Sequence, residues 1–399
     1  MSRRTTHKNG AATLHVTPLC DHVTYVTAVL DECSDARRAA QDAYGKIAEL
    51  LSQRQMEIVH ERAFGTLEAH EAVRSGRAEA LQAAGLSPET AITYLQGRPL
   101  WGRGLAGVSL MAVGAGGDEA CKISTVQDDA GVPRGRTWSC CGATFVFLQG
   151  VHGHSDDPGA DNTRCAQADR MFDAAASLLR NQQTDYRTVT RTWIYLSDIL
   201  DWYGEFNKVR NAKYSHFGIM PTGDGGGNGD AILLPASTGI QGDAPNRAAA
   251  TMDVLATILS PDSDVEIHQM TNLTQKDAFQ YGSAFSRGAA IRLPMSTWIS
   301  LSGTASIDEA GRTVHQGDFR RQMNSTLDRI EALIAQEGAT LANLCDTTVF
   351  VKRPQDVETF REVAAERGLL DLAGVPVIAD VCRDDLLFEM DGAAVVSKT

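Results

Sequence analysis

The chain has 399 residues, 43% of them hydrophobic, which is enough apolar material for several small cores. No apolar run approaches the roughly 20 residues of a membrane-spanning helix, so the composition predicts a soluble, cytoplasmic protein. A net charge of −13 excludes the clustered cations of a nucleic-acid surface, yet it leaves room for a small anionic substrate held by a few local arginines.

The N-terminal stretch MSRRTTHKNG carries positive charge with no apolar region behind it. Residues 1–15 are therefore expected to be a disordered tail and not a signal peptide. From there one order of elements is predicted three times, in domains spanning 16–120, 136–260 and 278–399. Each copy reads as an amphipathic helix, a β-rich run, a shorter amphipathic helix and a final strand pair. The helices start near Gln41, Gln167 and Gln322, a spacing of about 125 to 155 residues. That is too long for a solenoid repeat and suits one small domain per copy. In the third copy the helical period is carried by Phe319, Met323, Ile330, Leu333 and Ile334, while Val349 and Val351 alternate with Thr348 and Phe350 as in a strand.

The fold class expected is α+β, with each copy a mixed sheet covered on one face by two helices. The Gly- and Asp-rich stretch 114–136 and the Pro-, Ser- and Asp-containing stretch 259–277 are read as the boundaries. PTGDGGGNGD (221–230) lacks the Lys-Ser/Thr of a phosphate-cradling loop, and it reads as a flexible insertion or a lid at a site mouth. The eight cysteines, at 20, 33, 121, 140, 141, 165, 345 and 382, show neither metal-site nor disulfide-framework spacing. Free thiols are expected, with no metal and no cofactor, and Cys140 and Cys141 read as strand positions. His152, His154 and His315 form no recognised metal set; HGHSDD (152–157) is the one segment that merits a metal test.

The densest chemistry lies in VCRDDLLFEMD (381–391), where Glu389 interrupts an apolar run. A strand that buries its neighbours can hold a carboxyl only if something pairs with it or protonates it, so Glu389 is a candidate general acid. The alternative is a structural carboxylate satisfied at a domain interface. Cys382 is a candidate nucleophile or a small buried hydrophobe. Candidate cations for an anionic substrate are Arg191, on the same strand face as Tyr195, and Arg210 with Lys213, on one side of the following helix, together with Arg383 beside Cys382. Interface ion pairs between copies would use the same arginines.

The third copy, with SLSGTASIDEAGRTVHQGDFRRQ followed by helix, strand, helix and LLFEMDGAA, resembles the Rid (YjgF/UK114) superfamily, whose chorismate mutase-like domains form trimers with ligand sites between subunits. Three tandem copies would build that trimer in one chain, a pseudo-trimer complete as a monomer. FSRGAAI (285–291), SGTASI (302–307), RTWIYLSDI (191–199), YGEFNKVRNAKY (203–214), LPASTGI (234–240) and VCRDDLLFE (381–389) further resemble the chorismatases, the branch that hydrolyses chorismate. The carboxylate-gripping arginine of Rid deaminases is replaced by Glu89, Ser237 and Ile378, none of which forms a bidentate carboxylate pair. Ile194 and Val209 depart from the Asn and Gly of the usual chorismatase motif. Glu389 itself is matched to Thr251 in copy 2 and Ser109 in copy 1, which leaves one site of three with its acid. The resemblance implies protonation and cleavage of an enolpyruvyl ether, giving pyruvate and an aromatic acid such as 3-hydroxybenzoate. A Rid-fold enzyme acting on an imine, enamine or other reactive intermediate is the first alternative; a non-catalytic ligand-binding protein is the second.

Overall fold

In the computed structural model residues 4–9, 12–30, 35–114, 121–220, 234–271 and 284–398 are described. Copy 1 runs β1 (Thr5–Asn9), β2 (Ala12–Cys20), β3 (Val23–Leu30), α1 (Ala36–Arg54), β4 (Met56–Gly65), α2 (His70–Ala83), β5 (Thr93–Gln96), β6 (Arg98–Pro99) and β7 (Leu105–Gly114). Copy 2 runs β8 (Ile123–Gln127), β9 (Pro133–Cys140), β10 (Ala143–His152), α3 (Arg164–Asn181), β11 (Val189–Leu196), α4 (Ile199–His216), β12 (Ala236–Gln241) and β13 (Ala250–Leu259). Copy 3 runs β14 (Glu266–Met270), β15 (Gly288–Arg292), β16 (Ser296–Ala305), α5 (Phe319–Ile334), β17 (Leu344–Val351), α6 (Val357–Glu366), β18 (Gly374–Ile378) and β19 (Phe388–Ser397). No helix among the described residues is long and apolar enough to cross a membrane.

The first helix of each copy starts on a short oxygen-bearing side chain. Asp35, Thr163 and Asp318 accept from the backbone N–H groups of Arg38, Ala166 and Arg321 at 3.1, 3.4 and 3.0 Å, satisfying donors that a first turn leaves open. In α5, Phe319, Met323, Leu327, Ile330 and Ile334 are buried at three- and four-residue intervals and seat one stripe of the helix on its sheet.

The three sheets share one strand order: β5-β4-β7-β3-β2-β1, β12-β11-β13-β10-β9-β8 and β18-β17-β19-β16-β15-β14. In each, the strand between the two helices (β4, β11 or β17) is parallel to one neighbour and antiparallel to the other, so the sheets are mixed. β6 of copy 1 adds to the edge of copy 3's sheet, pairing Pro99 with Val377. Side-chain alternation then sorts the strands into two cores. Val349 and Val351 pack under the helices of copy 3, whereas Phe350 between them joins a central core with Phe64, Phe147 and Trp193 from the other copies. Aromatic contacts tie every pair of copies there: His60 on Phe147 at 4.5 Å, Phe145 on Trp298 at 5.7 Å and Tyr25 on Trp298 at 6.1 Å.

A ring of buried polar contacts closes the pseudo-threefold. The same position of the strand between the helices reaches the last strand of the next copy: His60 to Asp253 at 3.0 Å, Arg191 to Asp391 at 3.0 Å, and Asp346 to Ser109. Arg62 adds an ion pair to Asp346 at 2.7 Å. Removing one member of such a buried pair leaves an uncompensated charge and costs about 3–5 kcal/mol, so these contacts fix the copies in register.

Several expected boundaries shift. The tail expected over 1–15 contains β1 and the start of β2; β1 is an exposed edge strand, and its polar residues hide the pairing of Thr5 with Val16. The stretches read as linkers hold β8, the start of β9, and β14. The second helix of copy 2 is not shorter than the first; both have 18 residues, because Trp202, Phe206, Arg210 and Tyr214 carry the buried stripe of α4 through at four-residue spacing. The glycine-rich stretch 221–230 lies outside the described residues.

Candidate active site

Glu389 and Asp391 lie two residues apart on β19, so both side chains leave the same sheet face, toward copy 2. Glu389 is 4% exposed. Burial first, and then the neighbouring charge of Asp391, raise its carboxyl to about 8, against the pull of Arg191. Its space is made by a bulge. The pairing of β16 with β19 slips between Leu301 and Thr304, and Gly303 sits in the slip, where a Cβ would overlap Glu389 Oε1. Thr238 of β12 forms the opposite wall, its Cγ2 3.3 Å from that Cβ position.

Asp391 accepts from Thr238 Oγ1 at 2.7 Å and from Arg191 Nη2 at 3.0 Å, and Arg191 also donates to Thr238 Oγ1 at 2.7 Å. The Arg191 guanidinium stacks over Trp193 at 4.6 Å. Tyr195, on the same face of β11, accepts from Arg62 Nη1 at 3.3 Å. Arg191 and Tyr195 therefore sit at the junction of the copies, engaged by protein groups; Arg191 sets the field at Glu389.

Cys382 precedes β19 and packs against both the central core and the core of copy 2. Burial, followed by the charge of Glu389, pushes its thiol up to about 12; Arg383 and Arg210 pull the other way. It is a neutral thiol, which is a poor nucleophile.

Arg210 is fully buried on α4. Its Nη2 donates to Asn207 Oδ1 at 2.6 Å, while Nε and Nη1 have no hydrogen-bond partner among the described residues. Its guanidinium lies 5.7 Å from the ring centre of Phe206 and 5.5 Å from that of Phe285. Arg287, also buried, lies 5.6 Å from the same Phe285 ring. Among the described residues no carboxylate pairs with Arg210, and a buried cation in that state has strong affinity for an incoming anion.

Of the residues singled out from the sequence, Glu389, Cys382, Arg191, Tyr195 and Arg210 gather at the seam of copies 2 and 3. Lys213 is engaged elsewhere, by Asp169 at 2.9 Å and Asp173 at 2.8 Å on α3. Arg383 donates to the Gly311 carbonyl at 2.6 Å. Sequence reasoning passed over Asp391, Thr238, Gly303, Phe285 and Arg287. Asp391 was within reach of the period-two rule that placed Glu389; the others meet it only through folding.

Strand register identifies the counterparts of the acid. Phe350 faces Glu389, Tyr195 faces Thr251 and Phe64 faces Gly107. Thr251 agrees with the sequence, but the copy 1 counterpart is Gly107 and not Ser109, which instead matches Asp391. The pairing runs without a break from His60–Met111 to Phe64–Gly107, so Ser109 faces Arg62 and Gly107 faces Phe64. A Cβ on Gly107 would press on Val375 of copy 3, so this seam is filled where copy 3 has an acid. A separate cavity of about 230 Å³ between copies 1 and 3, bordered by His15, Trp101, Phe360 and Met390, contains none of the groups gathered around Glu389.

Comparison with known proteins agrees with this architecture. A family profile described as Endoribonuclease L-PSP matches residues 276–396, the third copy. A chorismatase of Streptomyces hygroscopicus is 28% identical over 294 residues, covering 66% of this chain and 75% of its own. A 3-hydroxybenzoate synthase of the same organism is 26% identical over 238 residues, covering 53% of this chain and 64% of its own, so this second match spans less than two thirds of that relative. The crystal structure of a chorismatase superposes with a TM-score of 0.59 over 84% of this chain and 92% of that one, at 20% identity, which speaks to the fold. With the L-PSP profile on its third copy, a chorismatase relative along about two thirds of its length and a chorismatase-like fold, the chain is similar to the chorismatases of the Rid superfamily.

Proposed function

We propose that this chain is a chorismatase-like enzyme that protonates and cleaves the enolpyruvyl ether of chorismate or a close analogue, giving pyruvate and an aromatic acid such as 3-hydroxybenzoate. One observation carries the reading: at the seam of copies 2 and 3 a buried carboxyl raised to about 8 and a buried guanidinium with two donors unpartnered among the described residues both act on Cys382. The names of the curated relatives support the choice of substrate.

In this reading Glu389 delivers its proton to the terminal methylene carbon of the enolpyruvyl group, and an oxocarbenium ion forms on the adjacent carbon. The Asp391 carboxylate keeps the proton on Glu389 before the step, and Arg191 stabilises the carboxylate that Glu389 becomes. Arg210, with Arg287 on the same aromatic ring, takes a substrate carboxylate. Capture of the cation by water gives pyruvate and a dihydrodiol acid. The intramolecular route, through an oxygen of the ring, gives pyruvate and 3-hydroxybenzoate without net consumption of water. Cys382, as a neutral thiol, acts by shaping the pocket for the second route.

The test is incubation of purified protein with chorismate, with pyruvate followed by coupled lactate dehydrogenase and the ring product separated against both standards. Pyruvate release together with an aromatic acid is expected. Pyruvate formation no faster than the uncatalysed background would refute the reading, and ammonia release from imine substrates would replace it with the deaminase alternative.

A further inference from the structure

Three cysteines from two distant stretches of the sequence meet where copy 1 touches copy 2, at a place unrelated to Glu389. The sulfurs of Cys20, Cys140 and Cys141 all lie within 4.8 Å of one another, and those of Cys140 and Cys141 are 3.2 Å apart. Among the described residues this is the one group of three or more side chains that could share a metal ion. We propose that Cys20, Cys140 and Cys141 form a thiolate site for a zinc-class divalent ion that fastens copy 1 to copy 2.

The local structure is built for such a site. Cys140 pairs with Ala143, so Cys141 and Gly142 form a two-residue hairpin turn with φ of 54° and 80°, which folds adjacent sulfurs back together. Cys20 ends β2 and Cys140 ends β9, so the ligands come from two copies. Tetrahedral zinc with Zn–S of about 2.3 Å spaces its sulfurs about 3.8 Å apart, so small side-chain movements complete the set. Cys20 and Cys140 are half-buried and Cys141 exposed, which leaves a partly shielded site with a path from solvent. Each thiol that ligates gives its proton to water, and neither the ion nor sulfur changes oxidation state. Spacing alone conceals the set, because Cys140 follows Cys20 by 120 positions.

The experiment uses the full chain, reduced, chelator-stripped and titrated anaerobically with Co²⁺. The expected result is about one ion per chain, with sulfur-to-cobalt charge-transfer absorption and the visible bands of a tetrahedral site, all displaced by Zn²⁺. Cys20→Ser or Cys140→Ser should each weaken Co²⁺ binding by at least about 100-fold, while Cys165→Ser, outside the cluster, leaves it unchanged. Zn²⁺ should raise the melting temperature of the wild type and of Cys165→Ser alone. Absence of charge-transfer bands in the reduced wild type would overturn the proposal. So would a disulfide found by mass in the isolated protein, if the reduced form then takes up no Co²⁺.

Discussion

Replacing Glu389 by Gln keeps the size of the side chain and removes its titration, and the consequence can be read in stability as well as in rate. The carboxyl titrates at 4.5 when unfolded and at about 8 in the folded chain. Its folded value is raised, so its contribution to stability is fully present below pH 4.5 and is lost as pH rises toward 8. Between those limits the unfolded state has released the proton and the folded state keeps it, so stability falls by about 1.4 kcal/mol per pH unit. Over the whole window the wild type loses about 5 kcal/mol relative to the Gln variant, after which the difference is flat. Urea midpoints of both proteins, followed by tryptophan fluorescence at half-unit steps from pH 4 to 9, measure that difference. The variant should gain on the wild type steadily through neutral pH, while its turnover of chorismate falls by about 100-fold or more with little change in binding. A stability difference that stays constant from pH 5 to 8 would show that Glu389 is ionised in the folded chain, and the account of it as an acid would fail whatever the substrate proves to be.

Asp391→Asn removes the charge that helps keep Glu389 protonated, so the alkaline limb of the pH–rate profile should move to lower pH; the same change leaves Arg191 unpaired and should cost about 3–5 kcal/mol in a denaturation experiment. Gly303→Ala places a methyl group on Glu389 Oε1 and should suppress kcat while the circular dichroism spectrum remains that of the wild type. Arg210→Gln removes an anion-binding cation that no carboxylate pairs with among the described residues, so KM for chorismate should rise by at least about 10-fold; an unchanged KM would move the carboxylate contact elsewhere. Cys382→Ala should still release pyruvate but shift the ring product from 3-hydroxybenzoate toward the dihydrodiol acid, as measured by chromatography, because protonation by Glu389 does not need the thiol.

Local pattern determined much of this protein. Helical periodicity at Phe319, Met323 and Ile330 and strand alternation around Phe350 depend only on neighbours in the chain, so the three α+β copies and the isolated acid at Glu389 were legible as a sequence. Cyclic closure was not. The contact of Arg191 with Asp391 spans 200 residues, and which copy meets which depends on the packing of three sheets around a shared core. That closure turned Arg191 and Tyr195 from expected substrate ligands into groups already engaged by protein, and it left Arg210 with unpartnered donors. The copy 1 counterpart of the acid is Gly107 and not Ser109, because that place is set by which residue of β7 pairs with Phe64 across the sheet, a register that composition does not announce. The cysteines follow the same rule. Spacing identifies a metal site when its ligands share one turn or hairpin, whereas Cys20 and Cys140 become neighbours only where copy 1 packs on copy 2.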